Sequence, residues 1–197
     1  MSRTYDEPGG TRVTNDEDDM DELLLADDDA DGEADDKYLL FRLGDEDYGV
    51  PIDRVQSIEE LQRIVAVPDM PPYVRGVINL RGSVIPVVDL RLRFEMAERE
   101  YDDRTCIIVI QHAGRTVGFI VDTVSEVQQI PGDAIQPPPE FRAVSDRERF
   151  IQGIGTLEGA VKILLAIERL MQTDEMTGVT DRLARDAGQI DLGGRAR

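Results

Sequence analysis

The sequence predicts an all-β protein made of two pseudo-repeated five-stranded β-barrels with short helices, and three observations carry that expectation. From Tyr38 onward, short Val/Ile/Leu/Phe runs alternate with Gly, Asp and Pro punctuation at the spacing of about 8–12 residues typical of sandwiches and barrels. Glycines recur at matched intervals in two successive blocks. Prolines cluster between apolar runs, at Pro68, Pro71 and Pro72 and again at Pro137–Pro139, where a residue without an N–H ends a ladder.

Taken in order, Tyr38–Leu43 reads as a strand, Gly44–Asp47 as its turn, and Tyr48–Ile52 as the returning strand. Asp53–Glu60 reads as a short helical turn. Strands are expected at Arg63–Val67, Gly76–Leu80, Val84–Val88, Thr105–Gln111, Thr116–Val121, Glu126–Ile130, Gly153–Leu157 and Val161–Ile167. Further helical turns are expected at Asp89–Phe94 and Ile167–Met171.

The repeat is the most informative feature. Leu39–Leu43 superposes on Ile108–His112, which places Gly49 on Gly118, Asp53 on Asp122 and Val55 on Val124 at a constant offset of 69. Tyr73–Gly82 superposes on Phe150–Gly159 at an offset of 77, pairing Gly76 with Gly153, Leu80 with Leu157 and Gly82 with Gly159. Gly82 and Gly159 sit in two-residue connections between apolar strands, where a positive φ is needed. Gly76 and Gly153 open strands, the place for a bulge or a close backbone approach. Each barrel is too small to be comfortable alone. The two are expected to pack together and leave a groove at their junction, a common kind of binding surface.

Charge divides the chain into three domains. Of the formal net charge of −19, about −13 falls on residues 1–36, which hold fifteen Asp or Glu against two Arg. That leader reads as a disordered acidic tail, because low hydrophobicity and high charge leave too little burial to offset chain entropy. Its one interruption, Met20-Asp21-Glu22-Leu23-Leu24-Leu25-Ala26, has the composition of a short acidic helix. Residues 37–172 form the barrel domain, and residues 173–197 read as a flexible tail. The acidic balance argues against nucleic acid and anionic lipid as partners. No apolar run reaches the roughly 18 residues needed to span a bilayer, and the N-terminus is acidic where a signal peptide is basic. With a lone Cys106 and no internal disulfide, a cytoplasmic location is expected. Twenty arginines against two lysines, Lys37 and Lys162, fit either base composition or a salt-rich cytoplasm, and the sequence leaves both open.

Catalytic and metal chemistry find no support. Cys106 lies inside an apolar run and reads as a small buried hydrophobe. His112, the only histidine, ends a strand before Ala113-Gly114. No His/Cys cluster exists for zinc, and no nucleophile–base set can be assembled around one histidine. Asp27–Asp35 opens like a calcium loop, but Tyr38 stands where the bidentate Glu belongs, so a solvated acidic linker is the better reading. No cofactor, no metal and no enzymatic turnover are expected.

The block Phe41-Arg42-Leu43-Gly44-Asp45-Glu46-Asp47-Tyr48-Gly49-Val50, then Arg75-Gly76-Val77-Ile78-Asn79-Leu80-Arg81-Gly82-Ser83-Val84-Ile85-Pro86-Val87-Val88-Asp89-Leu90-Arg91, resembles CheW proteins closely. Val117–Val127 continues the likeness, which spans about Lys37 to Met171. The resemblance implies paired SH3-like barrels, a fold shared with the regulatory domain of the kinase CheA and with CheV. No kinase-like block and no room for a receiver domain favour a free-standing CheW. It implies an adaptor that joins the helical signalling tip of a chemoreceptor, a methyl-accepting chemotaxis protein, to a CheA-type histidine kinase in a chemoreceptor array. By the same carry-over the receptor-facing surface includes Val55, Ser57, Arg81, Gly118, Val124 and Val127, with Gly76 supporting the backbone. A helix stripe in a Val-lined groove, fixed by one charged contact, is helix-in-groove recognition, and Arg81 suits the charged role. Many relatives carry Glu where this chain has Ser57, pairing with the arginine at the Arg81 position. Glu59 or Glu60 replaces that carboxylate here, or Arg81 is free for a receptor acid. The kinase-facing surface is expected on the first barrel's edge, at Leu61, Arg63, Ile64, Val65 and Val67. Two alternatives stay open: an adaptor in a non-flagellar pathway controlling surface motility or gene expression, and a small ligand-binding barrel.

Overall fold

The computed structural model describes residues 37–138, 148–157 and 159–171. The acidic leader, its calcium-like run and the C-terminal tail lie outside the described residues. Eleven strands are described: β1 Lys37–Leu43, β2 Glu46–Pro51, β3 Val55–Glu60, β4 Val74–Leu80, β5 Ser83–Asp89, β6 Cys106–His112, β7 Arg115–Val121, β8 Thr123–Gln129, β9 Ile135–Gln136, β10 Ile151–Leu157 and β11 Ala160–Leu165. Two short helices, α1 Leu90–Arg93 and α2 Ile167–Met171, follow β5 and β11, as the sequence predicts. Asp89 caps α1, its carboxylate accepting from the backbone N–H of Arg91 at 2.9 Å and of Leu92 at 3.3 Å.

The strands form a six-stranded sheet, β8-β1-β2-β11-β10-β9, and a five-stranded sheet, β3-β6-β7-β5-β4. In both, the two edge strands are consecutive in the chain, so the connection between them closes the sheet into a barrel. In the six-stranded unit the closing strand is β9, paired to β10 through Gln136 and Ile154. In the five-stranded unit Val65 does the same task, exchanging two 2.9 Å backbone hydrogen bonds with Val77.

Strand membership does not follow the repeat boundary. The hairpin β1–β2 lies with β8–β11, and the hairpin β6–β7 lies with β3–β5. Each barrel therefore takes a hairpin from one repeat and its remaining strands from the other. The joining pairs are parallel and repeat-related: Gly49 lies opposite Leu164, and Gly118 lies opposite Val87. Each glycine leaves room for its barrel's interior, since a Cβ on Gly49 would lie 2.9 Å from Leu164 Cδ2 and one on Gly118 would lie 2.7 Å from Ile107 Cγ2.

Strand alternation sorts side chains into three cores. Tyr38, Leu40, Ile130 and Leu164 fill one barrel, and Ile78, Ile85, Val87, Ile107, Val109 and Ile120 fill the other. The opposite faces, with Leu39, Phe41, Tyr48, Val77, Ile108 and Phe119 among them, merge into one larger core between the barrels. Strands buried on both faces read as continuous apolar runs, which is why Ile107–Ile110 shows no alternation in sequence.

Two expected elements differ. Over Asp53–Glu60 only Ile52–Arg54 forms a helical turn, and Val55–Glu60 is strand β3, with half-buried and exposed residues alternating against β6. Polar Ser57 and Glu59 on its half-buried face and apolar Ile58 on its exposed one hid the period of two. Arg63–Val67 is not a strand: Val65 alone bridges to β4, because Leu61 and Ile64 turn inward onto the five-stranded core and Val67 packs on the shared one. At β8 the strand starts at Thr123, ahead of the expected Glu126.

Candidate functional site

The β4–β5 hairpin closes with Leu80 opposite Ser83, leaving Arg81 and Gly82 as a two-residue turn with φ of 53° and 90°. Positive φ at both positions matches the right-handed twist of the flanking strands. For Arg81 that conformation costs about 1–2 kcal/mol. Asn79 Oδ1 accepts from Gly82 N at 2.8 Å and fixes the turn. The Arg81 side chain is exposed and has no hydrogen bond or ion pair among the described residues.

A hollow of about 380 Å³ opens beside this turn, lined by Gln56, Ser57, Leu80, Arg81, Val84 and Thr116 among others. Gln56 is the extra residue of a bulge, since Val55 pairs with Ile110 and Ser57 with the next residue back, Val109. The Ser57 hydroxyl donates to Glu59 Oε1 at 2.7 Å. Glu59 is thus engaged within its own strand and Glu60 is exposed, and neither forms an ion pair with Arg81. Apolar Leu80 and Val84 with polar Gln56, Ser57 and Thr116 make a wall for a partly apolar segment, and the guanidinium supplies one fixed charge.

The structure thus brings Ser57 and Arg81 together. Val55 and Val124, related by the repeat, are half-buried and pack on the shared core from β3 and β8. Val127 stands 48% exposed on β8, the edge strand of the other sheet. Gly76 is buried with φ of 138°, and a Cβ there would overlap the Val65 carbonyl, so its role is to let the closing segment approach β4. Gly118 is buried in a barrel interior, where it contributes backbone and not surface. Of the residues expected to face the kinase, Leu61 and Ile64 pack inward, Val65 and Val67 sit against the shared core, and Arg63 is exposed. Sequence reading missed Gln56 and Thr116, and it missed Ile58, 45% exposed on edge strand β3. The signal for Ile58 was present: the offset of 69 places it on Val127.

Tyr101 and Asp102, whose acidities are displaced, lie in the segment after α1, not in the hollow. Burial first, and then the hydrogen bond it donates to Asp89 Oδ2 at 2.8 Å, push the Tyr101 phenol well above its ordinary range. The Arg104 N–H, donating to Asp102, holds that carboxyl below its ordinary value, helped by the Arg104 guanidinium. Among the described residues no group of three or more His, Cys, Asp or Glu could hold a metal ion. No described helix is long and apolar enough to cross a membrane.

A family model described as CheW-like domain matches residues 37–175. The chain is 37% identical over 149 residues to the chemotaxis protein CheW of Klebsiella aerogenes, across 76% of this chain and 89% of that one. It is 38% identical over 140 residues to the chemotaxis protein CheW of Rhizobium meliloti, across 71% of this chain and 89% of that one. The crystal structure of scaffolding protein TtCheW from Thermoanaerobacter tengcongensis shares the fold with a TM-score of 0.65 at 32% identity, covering 71% of this chain and 90% of that one. The lining of the hollow comes from β3, β4, β5 and β7 of the five-stranded sheet alone, so it lies on one barrel and not at the expected junction of the two. Matched barrels and repeat-related glycines agree with these likenesses, and the chain belongs to the CheW family of chemotaxis scaffolding proteins.

Proposed function

We propose that this non-enzymatic scaffold grips the helical signalling tip of a chemoreceptor at the Arg81 groove and offers a separate face to the regulatory domain of a CheA-type histidine kinase. The observation that carries the receptor assignment is the Arg81 guanidinium, fixed on a strained turn over a partly apolar groove and left without a carboxylate of its own. A receptor helix that lays an apolar stripe along Leu80 and Val84 completes the site with one Asp or Glu placed on that guanidinium. Val55 and Val124 shape the flanking surface, Val127 extends it along β8, and Gly76 and Gly118 hold the strands beneath. The kinase face centres on the Leu61–Val67 segment, where exposed Arg63 and the connection closing the barrel are accessible. A cytoplasmic site of action follows from these partners and agrees with the lone Cys106.

The test is titration of a receptor hairpin fragment into wild-type protein and Arg81→Glu, read by calorimetry, with the far-ultraviolet spectrum as a folding check. Loss of a charged hydrogen bond of about 1.5–3 kcal/mol predicts a fall in affinity of about tenfold or more at unchanged spectrum. Equal affinity for the two proteins removes Arg81 from the receptor surface. Co-sedimentation with receptor fragment and kinase together tests the coupling itself.

A further inference from the structure

The leader contains one apolar stretch among its acids, and the groove beside Arg81 has the complementary character. We propose that Met20–Ala26 of this same chain docks in the Arg81 groove and competes there with the receptor. The competition rests on the receptor reading given above; the docking stands on its own observations.

Charge is the first. The lining of the groove includes Arg81 and no carboxylate, and the nearby Glu59 is engaged by Ser57. Residues 1–36 carry about −13, and Asp21 and Glu22 immediately precede Leu23-Leu24-Leu25. An acidic pair followed by three leucines presents the two features the groove would select, a carboxylate for the guanidinium and apolar side chains for Leu80 and Val84.

The tether is the second. β1 begins at Lys37, and its next residue, Tyr38, lines a hollow of about 250 Å³ together with Pro51, Asp53 and Arg54. Arg54 is two residues from Gln56 of the Arg81 groove, so the leader joins the barrels close to the proposed site. The ten residues between Ala26 and Lys37 reach at most about 35 Å when extended, ample for that span. A short tether raises the effective concentration of an attached ligand to the millimolar range, so a contact too weak to be seen between separate molecules suffices. Occupancy of about four-fifths lowers the apparent receptor affinity about fivefold.

The experiment uses the full-length chain with Cys106→Ser and a nitroxide on Ala26→Cys. The expected result is broadening of the amide resonances of Gln56, Ser57 and Gly82 in low salt, lost in 1 M salt and lost with Asp21→Lys/Glu22→Lys. In unlabelled full-length protein, that same charge reversal should raise affinity for the receptor hairpin fragment about fivefold. Absence of broadening at these amides, or broadening that persists through the charge reversal, overturns the docking. Broadening without any gain in receptor affinity overturns the competition. Arg81→Glu made in the Asp21→Lys/Glu22→Lys background, where the leader no longer competes, separates the two readings: unchanged receptor affinity there defeats the receptor assignment, whereas the nitroxide measurement reports on the leader without any receptor present.

Discussion

Arg91 Nη1 donates to Asp122 Oδ2 at 2.6 Å, and the same oxygen accepts from Gly44 N at 2.7 Å. Asp122 lies where the chain crosses from β7 of one barrel to β8 of the other, Gly44 is in the β1–β2 turn, and Arg91 is on α1. One carboxylate therefore ties the turn of one barrel to the helix of its neighbour. The repeat-related positions are Asp53 and Glu168, both acidic, and Arg54 serves them both at 3.0 Å and 3.6 Å, with His112 Nδ1 3.9 Å from Glu168. The two junctions of this pseudo-symmetric molecule are unequal: one is a tight, part-buried pair and the other a looser, more exposed one.

Asp122→Ala should destabilise the fold by about 2–3 kcal/mol, because it leaves the Arg91 guanidinium and the Gly44 N–H without their shared acceptor. Glu168→Gln, at the looser junction, should cost less than about 1 kcal/mol. Urea denaturation checks both, with the midpoint shifting at constant slope. Equal losses at the two positions would show the junctions to be energetically alike.

Gly76→Ala and Gly82→Ala set crowding plus backbone strain against backbone strain alone. At Gly76 the new Cβ overlaps the Val65 carbonyl, which accepts from Val77 N–H to close the five-stranded barrel, and the φ of 138° resists as well, so the expected cost is about 3–4 kcal/mol. At Gly82 nothing lies within 4 Å, so only the φ of 90° resists, at about 1–2 kcal/mol. Thermal midpoints of the two variants order the effects, and a Gly82→Ala loss as large as that of Gly76→Ala would contradict the crowding account.

Tyr101 gives the pH dependence. Its phenol pKa is raised in the folded state, so the folded protein holds that proton more tightly than the unfolded chain does. The resulting stability is fully present below the ordinary phenol value of 10.0 and declines as pH rises from there towards the folded pKa. Denaturation midpoints should therefore fall above about pH 10, and Tyr101→Phe should flatten this part of the profile. Phenolate absorbance should show a late titration that Tyr101→Phe removes.

Much of the architecture was legible because glycine and proline act locally. Gly82 needs a left-handed backbone whatever surrounds it, and Gly76, paired with Val87, follows the bulged residue Arg75 in an arrangement that Gly153 repeats after Gln152 on β10. The exchange of hairpins was not legible, because it depends on which strands meet, and the parallel contacts of Gly49 with Leu164 and Gly118 with Val87 join residues far apart in sequence. At the site, Arg81 stood out through the resemblance and its place before Gly82. The engagement of Glu59 by Ser57 did not, since a hydrogen bond between residues two apart on one strand depends on rotamers that spacing cannot reveal. Arg63–Val67 looked like a strand because its apolar content was high, and that content serves to plug and seal the barrel instead.

The crossed-over hairpins also set an order of events during synthesis. The five-stranded barrel cannot close until Val121 has left the ribosome, and β1–β2, the first hairpin made, waits for β8 to flank β1 and for β11 to flank β2. Such long-range pairing is slow compared with local structure. Cutting the chain between β5 and β6 would strand each hairpin away from its companions, so neither fragment should fold alone, while the two mixed together should rebuild the whole.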